Sequence, residues 1–259
     1  MDNAAPIRQR ILALFLPLAA VLYVAAEAIT PKGTDQVVTT TATGYKVLAI
    51  AAGHTGQLYV AGSLALLALG AVAVSYAAIA SLVRGRGSAL ATVAALIGGA
   101  GAFCGALANV LNLPNLAAAA TAHLTRADAA QFLLTSFNSG FGHAFLYAYI
   151  VGQYVAPVLM GVALWRSRSV PRWLAVLFLV GFEVAEQVPS AGPVLVVLFM
   201  LPFAAAMALL SARTWQAAAR PASHGGLVSG PASPAANAPA AAAAGWEHTV
   251  PSGAVAHSR

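Results

Sequence analysis

The 259 residues are 60% hydrophobic and only 8% charged, against the roughly 25% charged residues of a soluble domain. With a mean hydropathy of +0.79, that excludes an ordinary soluble enzyme, a disordered protein and a nucleic-acid binder. The net charge of +6 does not reverse this, because the basic residues stand at the ends of apolar runs, where membrane proteins keep them.

The expected fold is all-α, a polytopic membrane helix bundle of six transmembrane helices with short interfacial helices on the outer side. A span needs about 20 mostly apolar residues, and its backbone groups must pair within the segment, so each span reads as a helix. Six windows qualify: 11–29, 58–83, 89–111, 143–165, 173–190 and 194–212. They make up a transmembrane domain over 1–215.

The first span, 11–29, carries Pro17 and reaches Glu27 near its outer end. A basic start, an apolar run and Ala26-Glu27-Ala28 also give it the shape of a signal peptide. Five further spans favour a retained anchor. The connection 30–57 opens with the Thr-rich VVTTTATG, read as exposed loop. Then comes YKVLAIAAG, too short to span and read as an interfacial or re-entrant helix, ending at Gly53-His54-Thr55-Gly56.

The second span, 58–83, leads to Arg84 and Arg86. The third, 89–111, holds Gly98, Gly99, Gly101 and Gly105, with Asn109 and Asn112 at its outer end. Gly101 and Gly105 form a small-xxx-small face, which serves close packing inside the bundle or a homodimer. In the connection 112–142, Thr125-Arg126-Ala127-Asp128 is a capping-box variant opening a helix expected to lie on the outer leaflet. The fourth span, 143–165, begins at His143 and contains Pro157, and Arg166, Arg168 and Arg172 follow it. The fifth, 173–190, is the least apolar because of Glu183, Glu186 and Gln187. The sixth, 194–212, contains Pro202. Residues 216–259 are dominated by Ala, Pro, Ser and Gly and read as a disordered cytoplasmic tail.

Arg8, Arg10, Arg84, Arg86, Arg166, Arg168, Arg172, Arg213 and Arg220 fall on one side of this arrangement. Lys32, Lys46 and Arg126 fall on the other. The asymmetry puts both termini in the cytoplasm, and the preference for Arg over Lys with abundant Ala, Gly and Pro looks like a GC-rich bacterial genome, so a bacterial inner membrane is expected. A weak internal repeat accompanies it. Gly53-His54 and Gly142-His143 each lead into an inward-running span, an Arg-x-Arg and an outward-running span.

Ionisable groups inside a membrane are costly and mark functional sites by default. Glu27, Glu183, Glu186, His54 and His143, with Asn109 and Asn112, all gather in the outer half. Glu183 and Glu186 share a helix face by their spacing. A short connection makes the fourth and fifth spans adjacent and antiparallel, so His143 is expected within about one side-chain length of Glu183 or Glu186, with His54 nearby.

This layer reads as an outward-facing polar pocket that binds or transports a small ligand, proton or cation. The alternative is a structural or accessory protein whose polar groups only order the bundle. An intramembrane metalloenzyme using His54, His143 and Glu183 or Glu186 is a lesser reading, because no compact ligand spacing exists. A b-type haem held by His54 and His143 is another. An enzyme is not favoured, no cofactor is implied, and a single cysteine, Cys104, rules out a multi-cysteine metal site.

Overall fold

The structure is a computed structural model, and it describes residues 4–34, 38–137, 139–186 and 193–219. Among the described residues the chain is helical, with no strand. The elements are α1 (Ala4–Ile29), α2 (Thr41–Ala52), α3 (Thr55–Leu82), α4 (Ser88–Thr121), α5 (Arg126–Phe137), α6 (Gly140–Ser167), α7 (Arg172–Glu186) and α8 (Pro193–Ala219). Five segments are long and apolar enough to cross a membrane: Ile7–Ile29, Thr55–Leu82, Ser88–Thr121, Gly142–Ser167 and Val194–Ala219. The window 173–190 corresponds to α7, of which 15 residues are described. Gln187 and the expected tail from residue 220 onward lie outside the described residues, while 216–219 close α8.

The six long elements form a closed ring. In order around it, α1 packs on α3, α3 on α4, α4 on α6, α6 on α7, α7 on α8, and α8 back on α1. Ser211 Oγ donates to the Ala13 carbonyl at 2.7 Å and ties α8 to α1. The core runs along the inside of this ring, with Leu16, Ile79, Met160, Leu164, Phe178, Phe203 and Leu210 almost fully buried. Lipid supplies no hydrophobic drive between helices, so the ring depends on close contact at small residues. At Gly101 an added Cβ would sit 2.5 Å from Gly152 Cα, so α4 and α6 touch backbone to backbone. At Gly98 it would meet the Tyr76 ring, and at Gly105 the Tyr149 ring. At Gly181 it would lie 2.7 Å from the Phe203 nitrogen, where α7 crosses α8. The Gly101/Gly105 face is therefore filled by α6 within one chain, and a second copy could use it only if α6 moved away.

Two elements differ from the sequence expectation. The Thr-rich segment does not stay loop. Thr40 caps α2 by accepting from the Thr43 backbone N–H, and Thr41–Gly44 form the first turn of the helix. That side-chain oxygen satisfies an orphan N–H, which tips a weakly helical Thr/Gly run into helix. The second difference is α4, which passes residue 111 and runs on to Thr121 through a stretch of four alanines, with Pro114 inside it. Alanine is the strongest helix former, so apolarity ends before helicity does.

These changes build a second, smaller core. Val47, Leu48 and Ala51 of α2 pack with Ala129, Ala130 and Leu133 of α5, Leu113, Leu116 and Ala117 of α4, and Leu58 and Ala61 of α3. α5 opens as expected, with the Thr125 hydroxyl accepting from the Asp128 N–H at 3.2 Å and donating to its carboxylate at 2.6 Å. Its apolar face is spent on α2 and α4, so the two short helices form one cap where α3 begins and α4 ends.

The repeat is partial in three dimensions. α2 and α5 both have 12 residues, and α3 and α6 both have 28. Laid start to start, Ala68, Ala71, Val72, Ser75, Ala78 and Ile79 of α3 match buried positions of α6, but buried Gly62 and Leu69 fall on exposed Tyr147 and Tyr154, and exposed Leu67 falls on buried Gly152, so the burial patterns agree only in part. The two Gly-His pairs are not in that register: His54 is the N-cap residue of α3, whereas His143 lies inside the first turn of α6.

Candidate functional site

The ring closes around a cavity that every one of its six helices lines. Tyr23 comes from α1, Tyr76 from α3, Gly98 from α4, Gln153 from α6, Phe182 from α7 and Phe203 from α8. Counted out to its open side, the space between atoms is about 370 Å³. The enclosed part has room for one water molecule at most. Gly98 and Gly152 line it as glycines because the Tyr76 ring and the Gly101 backbone occupy the places of their Cβ atoms.

The wall is mainly aromatic. Phe182 meets Phe203 edge-on, with centroids 5.4 Å apart and planes at 89°. Tyr23 packs on Phe203 at 6.1 Å and Tyr76 on Phe182 at 6.2 Å. The four rings thus make a continuous arc across α1, α8, α7 and α3. Such edge-to-face contacts also stabilise the helix crossings.

Against this arc stands one amide. Gln153 is only 8% exposed and lines the cavity. Among the described residues, no hydrogen bond of its side chain is seen. Gln153 is not among the candidates read from the sequence, since nothing in one sequence says which face of an all-apolar helix looks inward. The aromatic residues gave no signal at all.

The residues singled out from the sequence lie outward of this centre. Glu183 is half-buried on α7, next in sequence to Phe182 of the cavity wall. Glu186 is the last residue of α7, one turn beyond Phe182, and its side chain is outside the described residues. Glu27 is half-buried one turn beyond Tyr23 on α1, and i, i+4 spacing places both on one face. Asn112 is half-buried on α4, and the side chain of Asn109 is outside the described residues.

The histidines are turned back on their own backbone. His54 is exposed, with Nδ1 2.8 Å from the Ile50 carbonyl. His143 is half-buried, with Nδ1 3.2 Å from the Ser139 carbonyl, and it stacks on Tyr147 at 6.1 Å. It begins α6 at the end of the ring where α7 finishes, and α6 and α7 are neighbours. Nearby, Gln57 donates through Nε2 to the Ile29 carbonyl and satisfies the C-terminus of α1. Among the described residues, no group of three or more His, Cys, Asp or Glu side chains is placed to hold a metal ion. Cys104 is a free, half-buried thiol.

Among the described residues no Lys or Arg lines the cavity. The centre therefore offers ring faces, phenols and an amide, with carboxylates a turn further out and no positive charge. Comparison with known proteins finds no matching family model, no matching curated protein and no matching solved structure.

Proposed function

We propose that this chain is a multi-pass protein of the bacterial inner membrane that binds, and passes across, a small cation at the centre of its helix ring. In this reading α7 completes the sixth span, α1 is retained, both termini are cytoplasmic, and the α2–α5 cap lies at the outer membrane surface. The observation that carries it is Gln153, an amide with no described partner held nine-tenths buried in a cavity that all six ring helices line. Placing an amide in an apolar wall costs stability, and packing alone does not call for one at this position.

The ligand's sign follows from the surroundings. Aromatic faces attract cations, an amide oxygen can accept from or coordinate one, and no basic side chain opposes it. Glu27, Glu183 and Glu186 stand on the outer approach. Intramembrane carboxylates of this kind serve ion and proton pathways. His143 and Asn112 belong to the same layer and would relay or order protons there. The small enclosed volume means that the described conformation is closed, and passage requires the ring to loosen.

The test is flux. Purified protein in liposomes containing a pH-sensitive dye should respond to imposed gradients of sodium, potassium or a small ammonium ion. Gln153→Leu and Glu183→Gln should each lower the response at least tenfold. The same small volume also suits the scaffold reading. That reading is supported, and ours overturned, if no gradient produces flux or if Gln153→Leu conducts as the unaltered protein does.

A further inference from the structure

We propose that the two Arg-x-Arg turns at the basic end of the ring form one binding site for the phosphate headgroup of an anionic membrane lipid. The turns are distant in sequence but are brought together by backbone contact. Gly87, which follows Arg86, is left-handed at φ 100°, and an added Cβ would lie 2.9 Å from the Ala163 carbonyl oxygen. Ala163 is one helical turn before Arg166 of the second turn. Arg84, Arg86, Arg166, Arg168 and Arg172 therefore share one end of the α4–α6 seam, and all five are exposed.

No described carboxylate offsets them. Glu27, Asp128, Glu183 and Glu186 all belong to the opposite end of the ring or its cap, and no ion pair to these arginines is seen among the described residues. Two further features suit an anion. α4 begins here with Gly87 as N-cap and no side-chain cap, so its first N–H groups add a positive dipole end. Arg168 ends α6 at φ 54°, the one left-handed non-glycine residue among the described residues. Helices usually place glycine there, and the strain of an L-residue marks a side chain worth keeping.

The occupant is a lipid because the site lies at bilayer depth. Trp165 and Trp173, both substantially exposed, flank it, and the Arg172 guanidinium lies 5.1 Å from the Trp165 ring centroid. Aromatic rings of this kind sit at headgroup level, and guanidinium forks match phosphate oxygens in pairs.

The experiment places the full chain in phosphatidylcholine nanodiscs with or without phosphatidylglycerol. Retained lipid is read by native mass spectrometry, and the unfolding midpoint by tryptophan fluorescence. Phosphatidylglycerol should be retained and should raise the midpoint. Retention should fall about fivefold for each arginine removed in Arg84→Gln/Arg86→Gln, and equally in Arg166→Gln made alone on the other turn. Arg8→Gln/Arg10→Gln, at a separate basic pair, should keep it. The midpoint in phosphatidylcholine alone shows whether each variant is folded. The proposal is overturned if the Arg8/Arg10 variant loses lipid to the same degree, which would show only a general surface potential. It is also overturned if inorganic phosphate reproduces the stabilisation, or if the two turn variants retain lipid unchanged.

Discussion

Replacing Gln153 with leucine should make this protein more stable and less active. The amide is 8% exposed, lines the central cavity and has no described hydrogen-bond partner. Leucine is close to it in volume and replaces the amide by apolar atoms. Placing an amide in an apolar wall costs about 1–3 kcal/mol, but a polar group in a membrane protein also finds partners in the unfolded state, which trims such effects. A gain of about 1 kcal/mol is the reasonable figure, or a rise in midpoint of about 2–4 °C for a chain of this size. The assay is thermal unfolding in one detergent, with Ala156→Leu as a control for overpacking in the same helix, since Ala156 is fully buried. If Gln153→Leu lowers the midpoint instead, the amide is a bonded structural group. The argument that it is retained for a ligand then fails.

The glycine contacts give a matched pair. Gly101→Leu must push α6 away, because its Cβ alone would lie 2.5 Å from Gly152 Cα; overpacking costs about 1–3 kcal/mol or more, and membrane accumulation should fall sharply. Gly99→Leu, with nothing within 4 Å of its Cβ, should accumulate normally, and equal behaviour of the two would refute the α4–α6 crossing. Thr125→Ala removes the cap of α5 and should cost about 1 kcal/mol, seen as faster amide exchange across Arg126–Phe137 with α2 following. A reporter active only outside the cytoplasm should work when fused at Arg126 and stay silent after Arg213. A protein truncated before Ala222 should still accumulate in the membrane.

The membrane-length helices were legible because their signal is bulk composition, and composition survives ignorance of what packs on what. The cap was only half legible. The capping box at Thr125 and the apolar run at 45–53 announced two helices. What hid their partnership was the extension of α4, since the Leu113–Ala117 surface they pack on lies beyond the last window apolar enough to span. A helix can outrun its membrane segment without any break in the sequence, and α4 runs on through Pro114. That proline packs against α3 at Gly62, where an added Cβ would lie 3.2 Å from its Cδ, so it marks a crossing and not an end.

The candidate site was legible only at its rim. Glu183, Glu186, Glu27 and the two histidines stand out in an apolar sequence because charge there is expensive, whichever way the side chains point. A cavity depends on direction, and direction is what an all-apolar helix conceals. α3 and α6 carry nearly uniform hydrophobicity around their circumference, so no periodicity separates Gln153 from the exposed Tyr154 beside it. Laying Thr55–Leu82 on Gly140–Ser167 does not recover the difference, because it sets Gln153 on Ala68 and Tyr154 on Leu69, and both α3 residues are buried. The carboxylates stand a short step along their helices from the cavity wall, Glu27 a turn beyond Tyr23 on α1 and Glu183 next to Phe182 on α7. A cation moving inward would exchange charged ligands for ring faces and one amide. That step is favourable only where no arginine or lysine competes, and among the described residues none lines the cavity.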